Sequence, residues 1–214
     1  MNERELLETT SKLLYRRNLI TGPGGNLSTR RDDGSILITP TGYLLAEMTQ
    51  DVLVEVGKDG AHSDQGTQPS SEYKIHLGLY ERFPESKAII HAHPPTVLAM
   101  SATDIDFNTG VTADMAYYGN KVTVIECSPA GEFDERVLDA ETPIIVVRTH
   151  GILIAGRSMS EAFHLTELLE TYAKCLFMSK LVGVAHTVPA QYMKEWSKEV
   201  PGTVFRDECL QGIL

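Results

Sequence analysis

The stretch IIHAHPP, which spans residues 89 to 95, joins an apolar run to two histidines and two prolines. Its apolar start predicts a strand. Side chains on a strand alternate between its faces, so His91 and His93 are expected to point the same way. Pro94 and Pro95 cannot continue the strand and should end it there. The pair is therefore predicted at a strand end that faces a cleft, an arrangement that suits a metal ion.

Length and composition describe one ordinary folded domain over residues 1–214. The chain has 42% hydrophobic and 22% charged residues, which is enough apolar content for a sizeable core. Its net charge of −10 argues against broad binding to nucleic acid or to an anionic membrane. No apolar run is as long as a membrane span, and the start, MNERE, has no signal-peptide pattern. We therefore expect a cytoplasmic protein whose Cys127, Cys175 and Cys209 are reduced.

The rest of the chain alternates helical and extended patterns. Apolar periodicity predicts three helices, over residues 3–20, from residue 69 to Pro84, and over residues 158–181. Besides the histidine strand, β-rich runs predict strands at residues 35–39, 52–56, 121–126 and 143–154, the last of them broken at residues 149–151. Because several strands follow one another without a helix between them, we expect an α/β fold with a largely antiparallel sheet and helices packed on it.

Two further residues are candidate metal ligands beside the histidine pair. His150 follows an apolar β run and precedes Gly151, so it also lies where a strand is interrupted. Glu72 falls at the predicted start of the second helix, where the helix dipole favours a carboxylate. A plain N-terminal charge is the commoner explanation for a glutamate at this position, so spacing alone leaves Glu72 unassigned. His76 lies one helical turn later on the same face, where it can support a ligand or simply pack.

Three polar loops are candidate anion sites. The loop at residues 22–28 is rich in glycine and exposes backbone amides, and Ser70 and Ser71 place hydroxyls at a predicted helix start. The loop at residues 39–42 is of the same kind. Glycine clusters are also common in ordinary turns, so each loop could be either an anion site or a plain turn.

Five motifs, in this order along the chain, resemble those of the class II aldolase/adducin family. They are GGNLS at residues 24–28, TPTG at residues 39–42, PSSE at residues 69–72, HAHP at residues 91–94 and HG at residues 150–151. The similarity is greatest to the branch that cleaves L-fuculose 1-phosphate. It implies a single three-layer α/β/α domain with a mixed, mostly antiparallel central sheet, assembled as a homotetramer with active sites between subunits.

The resemblance also implies roles for individual residues. By motif position, His91, His93 and His150 bind Zn²⁺ or another divalent ion, and Glu72 is the fourth ligand of the empty site and the acid/base during turnover. These roles imply a zinc-dependent aldolase that cleaves a sugar phosphate to dihydroxyacetone phosphate and a hydroxyaldehyde. The residues implied to hold the substrate phosphate are Gly25, Asn26, Thr41, Gly42, Ser70 and Ser71.

The family contains other activities, and three alternatives stay open. A decarboxylase of a 3-oxo-tetronate phosphate would use the same four residues. Ribulose-phosphate 4-epimerases usually have aspartate at the position of Glu72, but residues 112–119 resemble their His-Ala-Asp stretch, which makes Asp114 either catalytic or a solvated carboxylate. A scaffold domain of the adducin type lacks the complete set of zinc ligands, which this chain has.

The resemblance leaves one expected catalytic group without a fixed position. The aldolases use a tyrosine of a neighbouring subunit to protonate the leaving aldehyde, and here Tyr117 and Tyr118 are the candidates. The C-terminal segment with Tyr192, Trp196 and Phe205 is expected to cover a neighbour's site, as the tail of the aldolase does.

Overall fold

The computed structural model describes residues 1–63, 65–119, 121–127, 139–183, 185–196, 207 and 210. Their backbone forms seven strands and six α-helices. In chain order these are α1 (Glu3–Arg16), β1 (Asn26–Arg30), β2 (Ile36–Ile38), β3 (Val54–Val56), α2 (Tyr73–Arg82), β4 (Ala88–Ala92), α3 (Pro95–Ser101), α4 (Ala113–Tyr117), β5 (Thr123–Ile125), β6 (Ile144–Val147), β7 (Gly151–Gly156), α5 (Met159–Val182) and α6 (Ala190–Trp196).

The seven strands form one sheet in the order β3-β2-β1-β4-β7-β6-β5. All neighbouring strands are antiparallel except β5 and β6, which are parallel. In the middle of the sheet, His91 on β4 pairs with Asn26 on β1 and with Leu153 on β7. Strands that are far apart in the chain are therefore neighbours at the centre of the sheet.

Helices cover both faces of the sheet, each over its own hydrophobic core. On one face α1, α3 and α5 bury a core that includes Ile90 and Leu169. On the other face α2 lies over a core that includes Ile89 and Leu79. Because Ile89 and Ile90 are successive residues of β4, the two cores are on opposite sides of the sheet. The predicted three-layer α/β/α fold with a mixed, mostly antiparallel sheet is confirmed.

Two predicted helix boundaries are wrong, and backbone geometry explains both. The first helix ends at Arg16 instead of residue 20, because Asn18 adopts a left-handed conformation with a φ of 56°. The second helix begins at Tyr73 instead of residue 69. Pro69 is held in an extended bridge to Pro40, which keeps the segment before Tyr73 out of the helix.

The other predicted elements lie close to their expected positions. Four elements were not predicted, namely β1, α3, α4 and α6, and β1 includes residues 26–28 of the segment predicted as a loop. The break predicted at residues 149–151 is the turn between β6 and β7. Helix α5 has Ser158 as its N-cap, and its hydroxyl accepts the backbone N–H of Glu161. The Glu161 carboxylate accepts the backbone N–H of Arg157 and also bonds to its guanidinium.

Within the described residues, no helix combines the length and the apolar character needed to cross a bilayer. Cys127 and Cys175 are both reduced and exposed. Cys209, Phe205 and the side chain of Trp196 lie outside the described residues, so the predictions that involve them stay predictions.

Candidate metal centre

Four side chains from separate segments meet at one end of the central strands. His91 lies near the end of β4, and His93 follows it and donates its backbone N–H to the Leu19 carbonyl. His150 is in the turn between β6 and β7, and Glu72 directly precedes α2. Strand β4 ends at Ala92, one residue before His93 and two before the prolines, and both imidazoles point to the same side as predicted.

The distances between these side chains are those of a cluster around one point. The Nε2 atoms of His91 and His93 are 2.9 Å apart. One nitrogen from each of His91, His93 and His150 lies within 4.8 Å of the others. Glu72 completes the cluster, since its Oε2 is 3.3 Å from Nε2 of His91 and its Oε1 is 3.6 Å from Nε2 of His150. The structure thus brings together the four residues predicted as metal ligands.

A backbone contact orients the imidazole of His91. Its Nδ1 lies 2.9 Å from the carbonyl oxygen of Ile152 on the adjacent strand. A carbonyl only accepts hydrogen bonds, so Nδ1 carries the proton and Nε2 presents its lone pair to the cluster. This is the arrangement in which a histidine binds a metal ion through Nε2.

The electrostatics of the cluster favour metal-binding protonation states. Burial lowers the pKa of His93 to about 4, and proximity to His91 and His150 acts in the same direction. Burial also lowers the pKa of His150. For Glu72, burial raises the pKa, but His91 and the hydrogen bond from Asn26 outweigh it and lower the pKa overall. Neutral imidazoles of His93 and His150 beside an ionised carboxylate are donors that fit a divalent cation such as Zn²⁺.

Glycines make room for the histidine rings. A Cβ on Gly24 would lie 2.6 Å from Nδ1 of His93, and one on Gly151 would lie 2.5 Å from Cδ2 of the same ring. Gly25 has a φ of 81°, and a Cβ there would approach the His91 carbonyl oxygen to 2.8 Å. The glycines of the GGNLS and HG motifs therefore have a steric reason to be present in this chain.

The turn that carries His150 is fixed by contacts with α3. Thr149, the residue before it, has a left-handed φ of 56°, which is uncommon for a β-branched residue. Its backbone N–H donates to the Ser101 hydroxyl, and the Arg148 guanidinium donates to the carbonyls of Ser101 and Thr103. These bonds compensate the strained backbone and hold His150 over the end of β4.

The three loops predicted to hold a phosphate lie side by side near the start of α2. The Thr39 hydroxyl accepts the backbone N–H of Leu27, which ties the first loop to the second. The bridge between Pro40 and Pro69 ties the second loop to the third. Of the six predicted residues, Thr41, Gly42 and Ser71 are exposed, Gly25 is half-buried, and Asn26 and Ser70 are buried.

Asn26 differs from the other predicted phosphate residues, because its side chain contacts the metal cluster. Its Nδ2 donates to Oε2 of Glu72 over 2.7 Å, and its Oδ1 is 2.6 Å from Nε2 of His76. The suggestion that His76 supports a neighbour of the metal site agrees with this geometry. Its imidazole reaches Glu72 through Asn26 and is not part of the histidine cluster.

Asp114, Tyr117 and Tyr118 are not brought to this cluster within one chain. They lie on or directly after α4, which packs against α5 and α6. Both tyrosines line a cavity together with Ser86, which precedes β4, whereas His91 is at the opposite end of that strand. Asp114 is exposed. A catalytic role for any of the three therefore requires a site in a neighbouring subunit.

Two polar side chains near the cluster, those of Ser28 and Tyr80, were not predicted from the sequence. The Ser28 hydroxyl lies 2.7 Å from Nδ1 of His76 and 2.9 Å from the Tyr80 hydroxyl. The signal was present in the spacing, because Glu72, His76 and Tyr80 recur every fourth residue and so share one face of α2. Asn26 and Ser28 alternate on β1 in the same way and face that helix.

Fold and site define an α/β/α sandwich with a histidine cluster that could hold a divalent metal, beside polar loops near the start of α2. The chain belongs to the class II aldolase family, since residues 5–177 match the family described as Class II Aldolase and Adducin N-terminal domain. The predicted resemblance is confirmed. The enzymes of this family are metal-dependent lyases, and relatives of this chain act on sugar phosphates.

Individual relatives cover most of the chain. A 3-oxo-tetronate 4-phosphate decarboxylase of Haemophilus influenzae is 31% identical over 185 residues, which are 82% of this chain and 87% of the relative. An L-fuculose phosphate aldolase of Methanococcus maripaludis is 33% identical over 165 residues, 76% of this chain and 89% of the relative. The crystal structure of YgbL from Klebsiella pneumoniae matches with a TM-score of 0.82 and 29% identity, over 91% of this chain and 97% of that one.

Proposed function

We propose that this protein is a zinc-dependent lyase that breaks a carbon–carbon bond in a phosphorylated sugar derivative. In its first form the reaction is aldol cleavage of a ketose phosphate of the L-fuculose-1-phosphate type, which gives dihydroxyacetone phosphate and a hydroxyaldehyde. One observation carries the proposal: the carboxylate of Glu72 lies within 3.6 Å of both His91 and His150, at the place where a metal ion and a reacting carbon would meet.

The residues of the site divide the work of such a reaction. A divalent cation bound to the three imidazoles supplies Lewis-acid stabilisation of the negative charge that develops on the substrate oxygens. Glu72, ionised in the free site and held by Asn26, would take up the proton of the substrate hydroxyl and deliver it to the carbon where the bond is broken. The loops around Thr41 and Ser71 are exposed beside the start of α2, where they can bind the phosphate away from the reacting bond.

Decarboxylation of a 3-oxo-tetronate 4-phosphate is the second form of the proposal. It is supported by the decarboxylase relative of Haemophilus influenzae, which is 31% identical over 82% of this chain. Both reactions leave negative charge next to a carbonyl when the bond breaks. Glu72, having taken up a proton from solvent, would give it to the carbon that CO₂ has left, and the same imidazoles would hold the cation.

Product analysis tests the proposal and separates its two forms. The zinc-loaded protein is incubated with ketose 1-phosphates, pentulose 5-phosphates and 3-oxo-tetronate 4-phosphates, and products are identified by chromatography and mass spectrometry. Dihydroxyacetone phosphate supports aldol cleavage, and CO₂ supports decarboxylation. An isobaric epimer would replace the lyase with a 4-epimerase. A zinc-loaded protein that turns over none of them would contradict the proposal and favour a scaffold of the adducin type.

A pair of histidine variants controls for the metal. His93→Ala should lose both bound zinc and turnover, whereas His186→Ala, at an exposed histidine elsewhere in the chain, should keep both. Zinc content is measured by atomic absorption after dialysis. Unchanged zinc occupancy in His93→Ala would remove that residue from the ligand set.

The proposal includes a homotetramer with active sites between subunits, on the basis of the family resemblance. Light scattering measures the mass in solution. A monomer with full turnover would contradict a site shared between subunits.

A further inference from the structure

A line of buried hydrogen bonds leads away from Glu72 into the core between β1 and α2. Asn26 donates to Oε2 of Glu72, and Nε2 of His76 lies 2.6 Å from Oδ1 of Asn26. The Ser28 hydroxyl is 2.7 Å from the other ring nitrogen of His76. The Tyr80 hydroxyl completes the line, 2.9 Å from the Ser28 hydroxyl and 3.0 Å from the Ser28 carbonyl. We refer to these five residues as the Glu72 polar chain.

The Glu72 polar chain is buried in otherwise apolar surroundings. His76 and Ser28 are 0% exposed, and their neighbours in the same core are residues such as Leu79 and Ile89. Burying polar groups costs free energy unless every donor and acceptor is satisfied, and an apolar core of the same shape would avoid that cost. A five-member polar line that ends on the proposed acid/base therefore calls for a functional explanation.

The chemistry of the groups fixes the direction of each hydrogen bond. An ionised carboxylate only accepts, so Asn26 must turn its NH₂ group toward Glu72 and its carbonyl oxygen toward His76. His76 must then donate from Nε2, which leaves Nδ1 as an acceptor for the Ser28 hydroxyl. Burial lowers the pKa of His76 to about 3, which keeps the ring in the neutral form that this pattern requires. The donors of Asn26, His76 and Ser28 all point toward Glu72, and the Tyr80 hydroxyl donates to the Ser28 carbonyl.

We propose that His76 is a positioning residue that fixes the amide of Asn26, and through it the carboxylate of Glu72. Without His76, the Asn26 amide can rotate by half a turn and present its carbonyl oxygen to the carboxylate. Two acceptors would then face each other, and Glu72 would turn away from His91 or take up a proton. The inference rests on the proposed function for the role of Glu72 as acid/base, but the orientation itself does not depend on any substrate.

The tautomer of His76 gives a direct test on the metal-free protein. Nitrogen-15 NMR of histidine-labelled protein distinguishes a proton on Nε2 from one on Nδ1, and His76→Gln identifies the resonance. We expect the proton on Nε2 in the wild type. A proton on Nδ1 would mean that Asn26 is turned the other way, and would overturn the proposal whether or not the protein is a lyase.

A pair of variants tests whether the orientation reaches Glu72. His76→Gln can still donate to Asn26 and accept from Ser28, whereas His76→Leu can do neither. With Co²⁺ in place of zinc, we expect His76→Gln to keep the wild-type visible spectrum and metal affinity. His76→Leu should change the spectrum and lose about 10–100-fold in Co²⁺ affinity. A wild-type spectrum and affinity in His76→Leu would overturn the proposal.

Turnover adds a readout that a general loss of stability would not reproduce. On the substrate found by product analysis, His76→Leu should lower kcat on the order of 10–100-fold with a smaller change in KM, and His76→Gln should restore it. Thr10→Val controls for lost buried hydrogen bonds, because Thr10 is fully buried on the other face of the sheet and bonds only within α1. If His76→Leu does not fold, Ser28→Ala replaces it, with the same expected directions and smaller effects. Equal kcat in wild type and Leu or Ala variant would count against the positioning role.

Discussion

Two glutamates are buried on opposite faces of the same sheet, and their surroundings differ. Glu72 is 8% exposed and Glu170 is 4% exposed. The Glu170 carboxylate caps the start of α3, where it accepts the backbone N–H groups of Thr96 and Val97 and the Thr96 hydroxyl, and it also pairs with Lys174. Its oxygens are engaged by donors of the protein.

Glu72 also lies at the start of a helix, but its side chain does not cap that helix. Within the described residues its side-chain donor is Asn26, and Nε2 of His91 and Nε2 of His150 lie 3.3 Å and 3.6 Å from its oxygens. A carboxylate bound on all sides holds two elements together, whereas one bound on a single side keeps capacity for a cation and a proton. The number and kind of donors around each glutamate, and not its burial, separates the structural role from the proposed functional one.

The largest expected effect comes from Glu72→Gln. The amide keeps the shape of the side chain but cannot move a proton, so kcat should fall on the order of 10²–10⁴-fold, the usual contribution of general acid–base catalysis. Thermal unfolding should change little. Steady-state kinetics and a circular-dichroism melt measure the two quantities. Turnover within a few-fold of the wild type would contradict the proposed role of Glu72.

Gly151→Ala tests how closely the histidine rings of the metal-ligand cluster are packed against the backbone. The new methyl group would lie 2.5 Å from both the Ala92 carbonyl oxygen and the His93 ring. We expect a loss of about 10–100-fold in zinc affinity, measured by competition with a chromophoric chelator. Gly57→Ala is the matched control, because its methyl group meets the movable end of the Asp59 side chain. Equal zinc affinity in both variants would show that the cluster is loosely packed.

Glu170→Gln should give the opposite pattern to Glu72→Gln. It replaces one acceptor by an NH₂ group that faces the N–H groups at the start of α3. The unfolding free energy should fall by about 1–3 kcal/mol. Each kcal/mol lost should lower Tm by about 2–4 °C. Turnover of the folded protein should stay close to the wild-type rate. Chemical denaturation and kinetics at 25 °C measure both, and the comparison fails if Glu170→Gln loses turnover while keeping its stability.

The smallest expected effect is on the pH dependence of the unfolding free energy. His76, a member of the Glu72 polar chain, contributes to this dependence. Glu72 and His91 are the charged or titratable groups that act on this ring, and burial lowers its pKa to about 3, against about 6.5 in an unfolded chain. Between these values the unfolded state binds more protons, so stability falls as pH falls. The slope approaches about 1.4 kcal/mol per pH unit for this one proton.

Denaturant titrations of the metal-free protein at pH 7, 6 and 5 measure that slope. His76→Gln should show a shallower pH dependence than the wild type, and Glu170→Gln should keep the wild-type slope because no histidine is changed. An equal slope in wild type and His76→Gln would rule out a buried, neutral His76.

The sequence predicted the parts of this molecule that depend on neighbours in the chain. The apolar run and prolines around His91 were enough to place a strand end with two histidines on one side. The break before Gly151 was visible for the same reason. The start of α2 was not, because the extended bridge from Pro69 to Pro40 depends on a loop almost thirty residues away, a separation that sequence periodicity does not report.

The candidate site was likewise predictable only where it did not depend on contacts between distant segments. Family motifs brought Glu72 and the histidines together before any coordinates, but they assigned Asn26 to the phosphate. Its contact with Glu72 depends on the register of β1 against β4 and on the face that α2 presents to the sheet. Neither the register of β1 nor the orientation of α2 against the sheet follows from local pattern. The spacing of Glu72, His76 and Tyr80 shows that they share a helix face, but it does not show that this face meets Asn26 and Ser28.

The central position of β1, β4 and β7 in the sheet also determines when the site can form. The Asn26–Glu72 bond closes a separation of 46 residues, and the bond from His91 to the Ile152 carbonyl closes one of 61. Loops of this length form late, since their entropy must be lost before their contacts are gained. The complete ligand set therefore cannot nucleate folding. The time at which the metal binds during refolding would report when the strands have reached their native order.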